Sequence, residues 1–215
     1  MIKVIIDFLT TRLQSELPFH NIKNENIDKD LKDFIVQQQN NTDSHRICAV
    51  MLAMFEHEGE IYIPCILRPQ KSRVHAGQVA LPGGGREEID KNLDETAIRE
   101  TWEEIGVNIS QSRIIGDLSD IYVPPSNSLI TPKIAFLDKK PNYKLDPNEV
   151  DKIIEVPLSR LLGVKNHVSK TVVKNGQTIH MPAIEIEGHL IWGATARILR
   201  EFTLLIKEME KIKEK

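Results

Sequence analysis

The chain has 215 residues, 40% of them hydrophobic and 27% charged, and a net charge of −3. That length suits one well-cored domain with an appendage, and the slight acidity gives no general pull toward nucleic acid. No run approaches the ~18 apolar residues of a membrane span, so neither a nucleic acid nor a membrane is an expected partner.

In chain order, residues 2–14 repeat apolar side chains at helical spacing (Ile2, Ile5, Ile6, Leu9, Leu13), and the polar "NIKNENIDKD" that follows reads as a connector. Asp7 interrupts the opening apolar run and no small-residue cleavage site follows, which argues against a secretory signal. Residues 1–40 are therefore expected to form a helical extension and connector, and 41–215 the main domain. "RICAVMLAMF" and "IYIPCILR" read as two strands joined by the hairpin turn in "EHEGE". Cys48 and Cys65 lie inside these runs without metal or redox spacing, so they read as buried, reduced thiols.

From Pro69 to Gly85, glycines, prolines and basic residues without a period predict a loop, and a helix then runs to Ile105 with Gly106 as its closing cap. Beyond it, "RIIGDLSDIYV", "LITPKIAFL", "DKIIEVPL", "HVSKTVVKNG" and "QTIHMPAIEIEG" are strand-like, with a hairpin turn at "KNGQ". "PPSN" at Pro124–Asn127 is a further turn. "IWGATARILREFTLLIKEMEKIKEK" reads as one long final helix. The expected fold is α/β of the α+β type, a mixed sheet sandwiched between helices.

The helix ending at Ile105 carries the chemistry. At about 100° per residue, Glu103 and Glu104 fall roughly 60° and 40° to either side of Glu100, whereas Ile98, Trp102 and Ile105 gather opposite as the expected core side. Glu103 and Glu104 stand in the last turn, where the negative end of the helix dipole disfavours acids, and Glu100 with Glu104 is a like-charge i,i+4 pair. Arg99 can pair with Glu95 and Glu103, but one guanidinium cannot neutralise the cluster. A divalent cation can, and carboxylate oxygens are what Mg²⁺ or Mn²⁺ prefers when substrate phosphates complete the shell.

The pattern Gly84-x5-Asp90-x8-Arg99-Glu100-x2-Glu103-Glu104-x-Gly106-Val107 resembles the box of the Nudix hydrolases, which cleave a nucleoside diphosphate linked to another moiety. Asp90 stands where glutamate is usual, one extra residue precedes Arg99, and Thr101 takes a commonly aliphatic place. Upstream, "LRPQKSRVHAGQVALPGG" is similar to the motif of the coenzyme A pyrophosphatase branch: Arg68, Arg73, Gly77 and Pro82-Gly83-Gly84 fall at its spacing, although Pro69 and Leu81 replace a small residue and phenylalanine. "IWGATARIL" is also similar to that branch, and the resemblance covers roughly residues 45–210.

The resemblance implies a Nudix fold and a metal-dependent pyrophosphohydrolase. Glu100, Glu103 and Glu104, with a backbone carbonyl near Gly84, would hold Mg²⁺ or Mn²⁺, and Arg99 would orient the glutamates. A box glutamate or Glu149 would take the proton from the attacking water. The substrate implied is coenzyme A or an acyl derivative, giving 3′,5′-ADP and a 4′-phosphopantetheine product. The alternatives are ADP-ribose, NADH, a dinucleotide polyphosphate or a nucleoside triphosphate and, in another class, a non-catalytic ligand sensor. Arg68, Lys71, Arg73 and His75 cluster just before the glycine turn and suit an extra phosphate, so Arg68, Arg73, His75, Gly77 and Gly83 are the candidate substrate contacts. His167, His180 and His189 lack mutual ligand spacing, and Trp192 and Phe202 read as core. "KIKEK" carries no peroxisomal address, so a cytoplasmic location is expected. Oligomeric state is left open, a homodimer being one option.

Overall fold

A computed structural model describes residues 2–20, 45–71, 75–174 and 177–213. Among these, helix α1 (Ile2–Arg12) is followed by β1 (Arg46–His57), β2 (Glu60–Leu67), β3 (Val79–Ala80), β4 (Gly83–Gly85) and helix α2 (Leu93–Ile105). Then come β5 (Ile114–Asp117), β6 (Ile121–Val123), β7 (Ser128–Phe136), β8 (Lys152–Pro157), the short α3 (Leu158–Leu162), β9 (His167–Lys174), β10 (Gln177–Ile186), β11 (His189–Trp192) and α4 (Ala194–Lys213). The expected connector at 21–30 and the tip of the "KNGQ" turn fall outside the described residues.

Strand β1 organises the larger sheet. It runs parallel to β7 from Arg46 to Met54, antiparallel to β4 through Cys48–Val50, and antiparallel to β2 through Phe55–His57. The sheet is therefore mixed, with β5 and β6 on β7 and β8 on β2. Because side chains alternate along a strand, β1 sends its residues to two cores. Ala49, Met51 and Ala53 pack under α2 with Ala97 and Ile105, and Leu52 and Met54 join Ile5 and Leu9 of α1 and Leu199, Phe202 and Leu205 of α4 on the other face. The result is the expected layering of helices on both faces of a mixed sheet. Each fully buried leucine or phenylalanine contributes roughly 1.5–3 kcal/mol.

Helix α1 is part of this core. Ile5 and Leu9 are its buried side chains, Arg12 Nε donates to Glu208 Oε1 at 2.9 Å, and the Phe19 N–H donates to Glu201 Oε1 at 3.1 Å. Glu201, itself buried, also accepts from the Ser119 N–H at 3.0 Å and Ser119 Oγ at 2.6 Å, so α4 holds the N-terminal segment and the β5–β6 connection at one carboxylate.

Several elements differ from the sequence reading. The expected loop Pro69–Gly85 contains β3 and β4, which form because β2 and β1 offer open backbone groups to pair; residues with no pattern of their own become strands by long-range hydrogen bonding. "RIIGDLSDIYV" is two strands: the register slips between Ile114 and Gly116, and the chain leaves the ladder before Ile121. "IWG" does not open the last helix, since Ile191 and Trp192 pair with β10 and Gly193, at φ +67°, turns the chain before Ala194. There Trp192 is half-buried with Lys170 Nζ 3.7 Å above its ring, whereas Phe202 is fully buried as expected. Cys48 and Cys65 are both buried and free.

Candidate active site

Helix α2 begins where Asn92, in extended conformation, accepts the Glu95 N–H at 2.9 Å. It ends at Gly106, whose φ of +68° is the left-handed cap that the sequence predicts and whose N–H bonds Trp102 O at 2.9 Å. Its buried face is only in part the expected one: Ile105 is buried and Ile98 packs against the core as expected, but Trp102 does not. Ala97, Thr101, Glu104 and Ile105 are buried, whereas Trp102 is 55% exposed. Residues 97, 101 and 104 form an i, i+4, i+7 stripe, and that stripe is the sequence signal for a buried Glu104.

The three glutamates thus meet three environments. Glu104 is 1% exposed, accepts the Gly83 N–H at 2.8 Å and faces Arg68 Nη2 at 3.4 Å. Burial pushes its pKa up to about 8, against the pull of Arg68 and the Gly83 N–H and with a further push from Glu100 and Glu149. Glu100 is held mostly from solvent and its pKa is raised, first by burial and then by its neighbours Glu103 and Glu149, despite Arg99. Glu103 is half exposed. The Glu100 carboxylate stands so close over Gly84 that a Cβ there would lie 2.5 Å from its carboxyl atoms, so any side chain at this position would displace it.

Arg99 binds this group into one unit. Its Nη1 donates to Glu100 Oε1 at 3.0 Å and Glu103 Oε2 at 2.9 Å, and its Nη2 to the Gly85 carbonyl at 2.9 Å. Its remaining donors go to Asp90, Nε to Oδ1 at 3.1 Å and Nη2 to Oδ2 at 2.9 Å. The expected Arg99–Glu95 pair does not form, because Glu95 turns back to the Lys91 N–H and ammonium. In the sequence Asp90 has no role beyond its place in the motif. It is 4% exposed, accepts also from the Glu87 N–H and Thr96 Oγ1, and is held at a pKa of about 2, chiefly by Arg99. Its position nine residues before Arg99, across a turn into the helix, was the available signal.

Glu149 is exposed in the turn 146–150, 45 residues after Glu104, yet near enough to act on both buried glutamates. Of the basic loop, Arg68 reaches Glu104, while His75 Nδ1 lies 3.0 Å from Gln78 Oε1. Gly77, at φ +64°, packs against the Gln70 side chain. Arg73 lies outside the described residues. Among the described residues no three His, Cys, Asp or Glu side chains already stand together as a ligand set, since Glu104 is turned to Gly83 and Glu103 to Arg99. The donor chemistry nonetheless fits a hard divalent cation: Glu100, Glu103, Glu104 and Glu149 crowd a region in which Arg68 and Arg99 are already engaged with carboxylates. A cleft of about 390 Å³ beside Gly106, Arg113 and Phe136 lies just past the C-terminal cap of α2 and is lined by none of these residues. Among the described residues no helix is long and apolar enough to cross a membrane.

A glycine turn feeding a carboxylate-bearing helix, set against a mixed sheet between helices, is the architecture of a phosphoanhydride hydrolase. The chain belongs to the Nudix family: the NUDIX domain matches residues 44–175. It is 34% identical over 167 residues to a protein of Photorhabdus laumondii described as "Uncharacterized Nudix hydrolase NudL", covering 74% of this chain and 84% of that one. It is 29% identical over 168 residues to the peroxisomal coenzyme A diphosphatase NUDT7 of Mus musculus, covering 74% and 70%. The crystal structure of a MutT/nudix family protein from Enterococcus faecalis superposes with a TM-score of 0.57 at 17% identity, over 94% of this chain and 69% of that one, a likeness of fold. The protein is a Nudix pyrophosphohydrolase.

Proposed function

We propose that the protein is a divalent-metal-dependent hydrolase of the diphosphate in coenzyme A or acyl-coenzyme A, releasing 3′,5′-ADP and 4′-phosphopantetheine or its acyl form. The observation that carries the chemistry is the Arg99 hub, which holds Glu100, Glu103, Asp90 and the Gly85 carbonyl together beside buried Glu104. The likeness to the mouse coenzyme A diphosphatase and the basic run Arg68–His75 favour coenzyme A over the alternatives.

Glu100, Glu103 and Glu104 would hold Mg²⁺ or Mn²⁺, which when bound neutralises phosphate charge and lowers the pKa of water. Arg99 keeps two of these carboxylates oriented, and Asp90 keeps Arg99 in place. Glu149 or a box glutamate accepts the proton of the attacking water at a carboxylate oxygen. Arg73 and His75 receive the 3′-phosphate of the substrate, and Arg68 borders the diphosphate site through Glu104.

The test is product formation with Mg²⁺ or Mn²⁺ on coenzyme A, dephospho-coenzyme A, ADP-ribose and NADH in parallel. A clear preference for coenzyme A is expected, and preference for another substrate would keep the hydrolase but discard this assignment. Arg73→Ala should lower kcat/KM more for coenzyme A than for its dephospho form; equal losses would mean that the loop does not read the 3′-phosphate.

A further inference from the structure

Among the described residues, the arginines beside the glycine strand divide into those already engaged and Arg46, which is not. Arg99 and Arg68 are each paired with buried or half-buried carboxylates, and Arg86 spends its donors on the Asp90 and Lys91 carbonyls. Arg46, the first residue of β1, has its backbone N–H on the Asn127 carbonyl, but among the described residues its guanidinium makes no ion pair. The side chain is nevertheless not pointing away from the loop. It lies flat against Gly85: a Cβ at that position would run into Arg46 Nε and Nη2, and would sit 2.7 Å from Cζ.

Gly85 therefore touches two arginines, since its carbonyl accepts Arg99 Nη2 at 2.9 Å while the Arg46 guanidinium covers its Cα. The next glycine, Gly84, lies under the Glu100 carboxylate. Cys48, opposite Gly85 in the β1–β4 ladder, feels the charges of both Arg46 and Glu100. The unpaired guanidinium and the carboxylates thus flank the same three-glycine strand from its two faces, since adjacent residues of a strand point to opposite sides. An arginine with free planar donors, exposed to solvent beside a site built for a diphosphate, matches the bidentate geometry of phosphate oxygens.

We propose that Arg46 is a substrate-binding residue of this active site, donating to a non-bridging oxygen of the diphosphate common to all nucleoside diphosphate substrates. A side chain at Gly85 would displace the guanidinium, which uses that space. The assignment rests on the pyrophosphohydrolase activity and is independent of which nucleoside derivative is cleaved.

The test compares wild type, Arg46→Gln and Arg46→Lys. Calorimetric binding of α,β-methylene-ADP in the presence of EDTA gives a readout that needs neither turnover nor metal. Arg46→Gln is expected to weaken that binding by about 10-fold or more, as for loss of a charge-assisted phosphate contact, with Arg46→Lys intermediate. In steady state, kcat/KM should fall by a similar factor on coenzyme A, dephospho-coenzyme A and ADP-ribose alike, with Tm unchanged because the side chain is exposed. Binding of the analogue within 2-fold of wild type in Arg46→Gln, or a kinetic loss confined to substrates bearing the 3′-phosphate, overturns the proposal. A failure of the coenzyme A assignment appears instead as a shifted substrate preference in the wild type.

Discussion

Replacing Asp90 by asparagine tests whether the hub is held from behind. The substitution keeps the shape of the side chain but removes the charge that Arg99 meets with two donors at 3.1 and 2.9 Å, and it exchanges an acceptor for a donor beside Glu87 N–H or Thr96 Oγ1. The carboxyl pKa falls from 3.8 to about 2 in the folded protein. At about 1.4 kcal/mol per tenfold change in proton affinity this corresponds to on the order of 2 kcal/mol of stability at neutral pH. That agrees with the ~1.5–3 kcal/mol of a hydrogen bond to a charged group. Because the folded pKa is depressed, the contribution is fully present above the unfolded value of 3.8 and disappears as pH falls toward 2. Urea unfolding of wild type and Asp90→Asn should therefore differ by about 2 kcal/mol at pH 7, and the gap should narrow between pH 4 and the lowest pH at which wild type stays folded. A difference below ~0.5 kcal/mol at pH 7, or one that stays constant down that range, would refute the reasoning. kcat should fall as well, since Arg99 would then turn more fully onto Glu100 and Glu103.

Glu103→Gln should reduce kcat by orders of magnitude and leave Tm nearly unchanged, because the side chain is half exposed; near-normal turnover would remove Glu103 from the site. Gly84→Ala should push the Glu100 carboxylate off its position, with kcat dropping at least ~10-fold, as expected when a site residue is displaced by about 1 Å; circular dichroism of a folded variant with full activity would contradict the close approach. Glu201→Ala strips a buried acceptor from the Phe19 and Ser119 N–H groups and should destabilise by roughly 2–4 kcal/mol in chemical unfolding, a result within ~0.5 kcal/mol of wild type being the contrary outcome.

Much of this protein was legible along the chain because local rules suffice there. Runs rich in apolar and β-branched residues marked β1, β2, β7 and β8, helical spacing marked α1 and α4, and Gly106 marked the end of α2. The spacing of Gly84, Arg99, Glu100, Glu103 and Glu104 marked the family and the candidate site, since ligands on one helix have relative positions set by its pitch. Tertiary structure alone decided the rest. Strands β3 and β4 exist only because distant strands supply their partners, and Trp192 joins β11 for the same reason. Which glutamate is buried, which is exposed, that Asp90 and not Glu95 answers Arg99, and that Arg46 covers Gly85 depend on how the loop folds back over α2. Charge and identity are written in the sequence, but desolvation and through-space neighbours exist only once residues far apart in the chain are packed together.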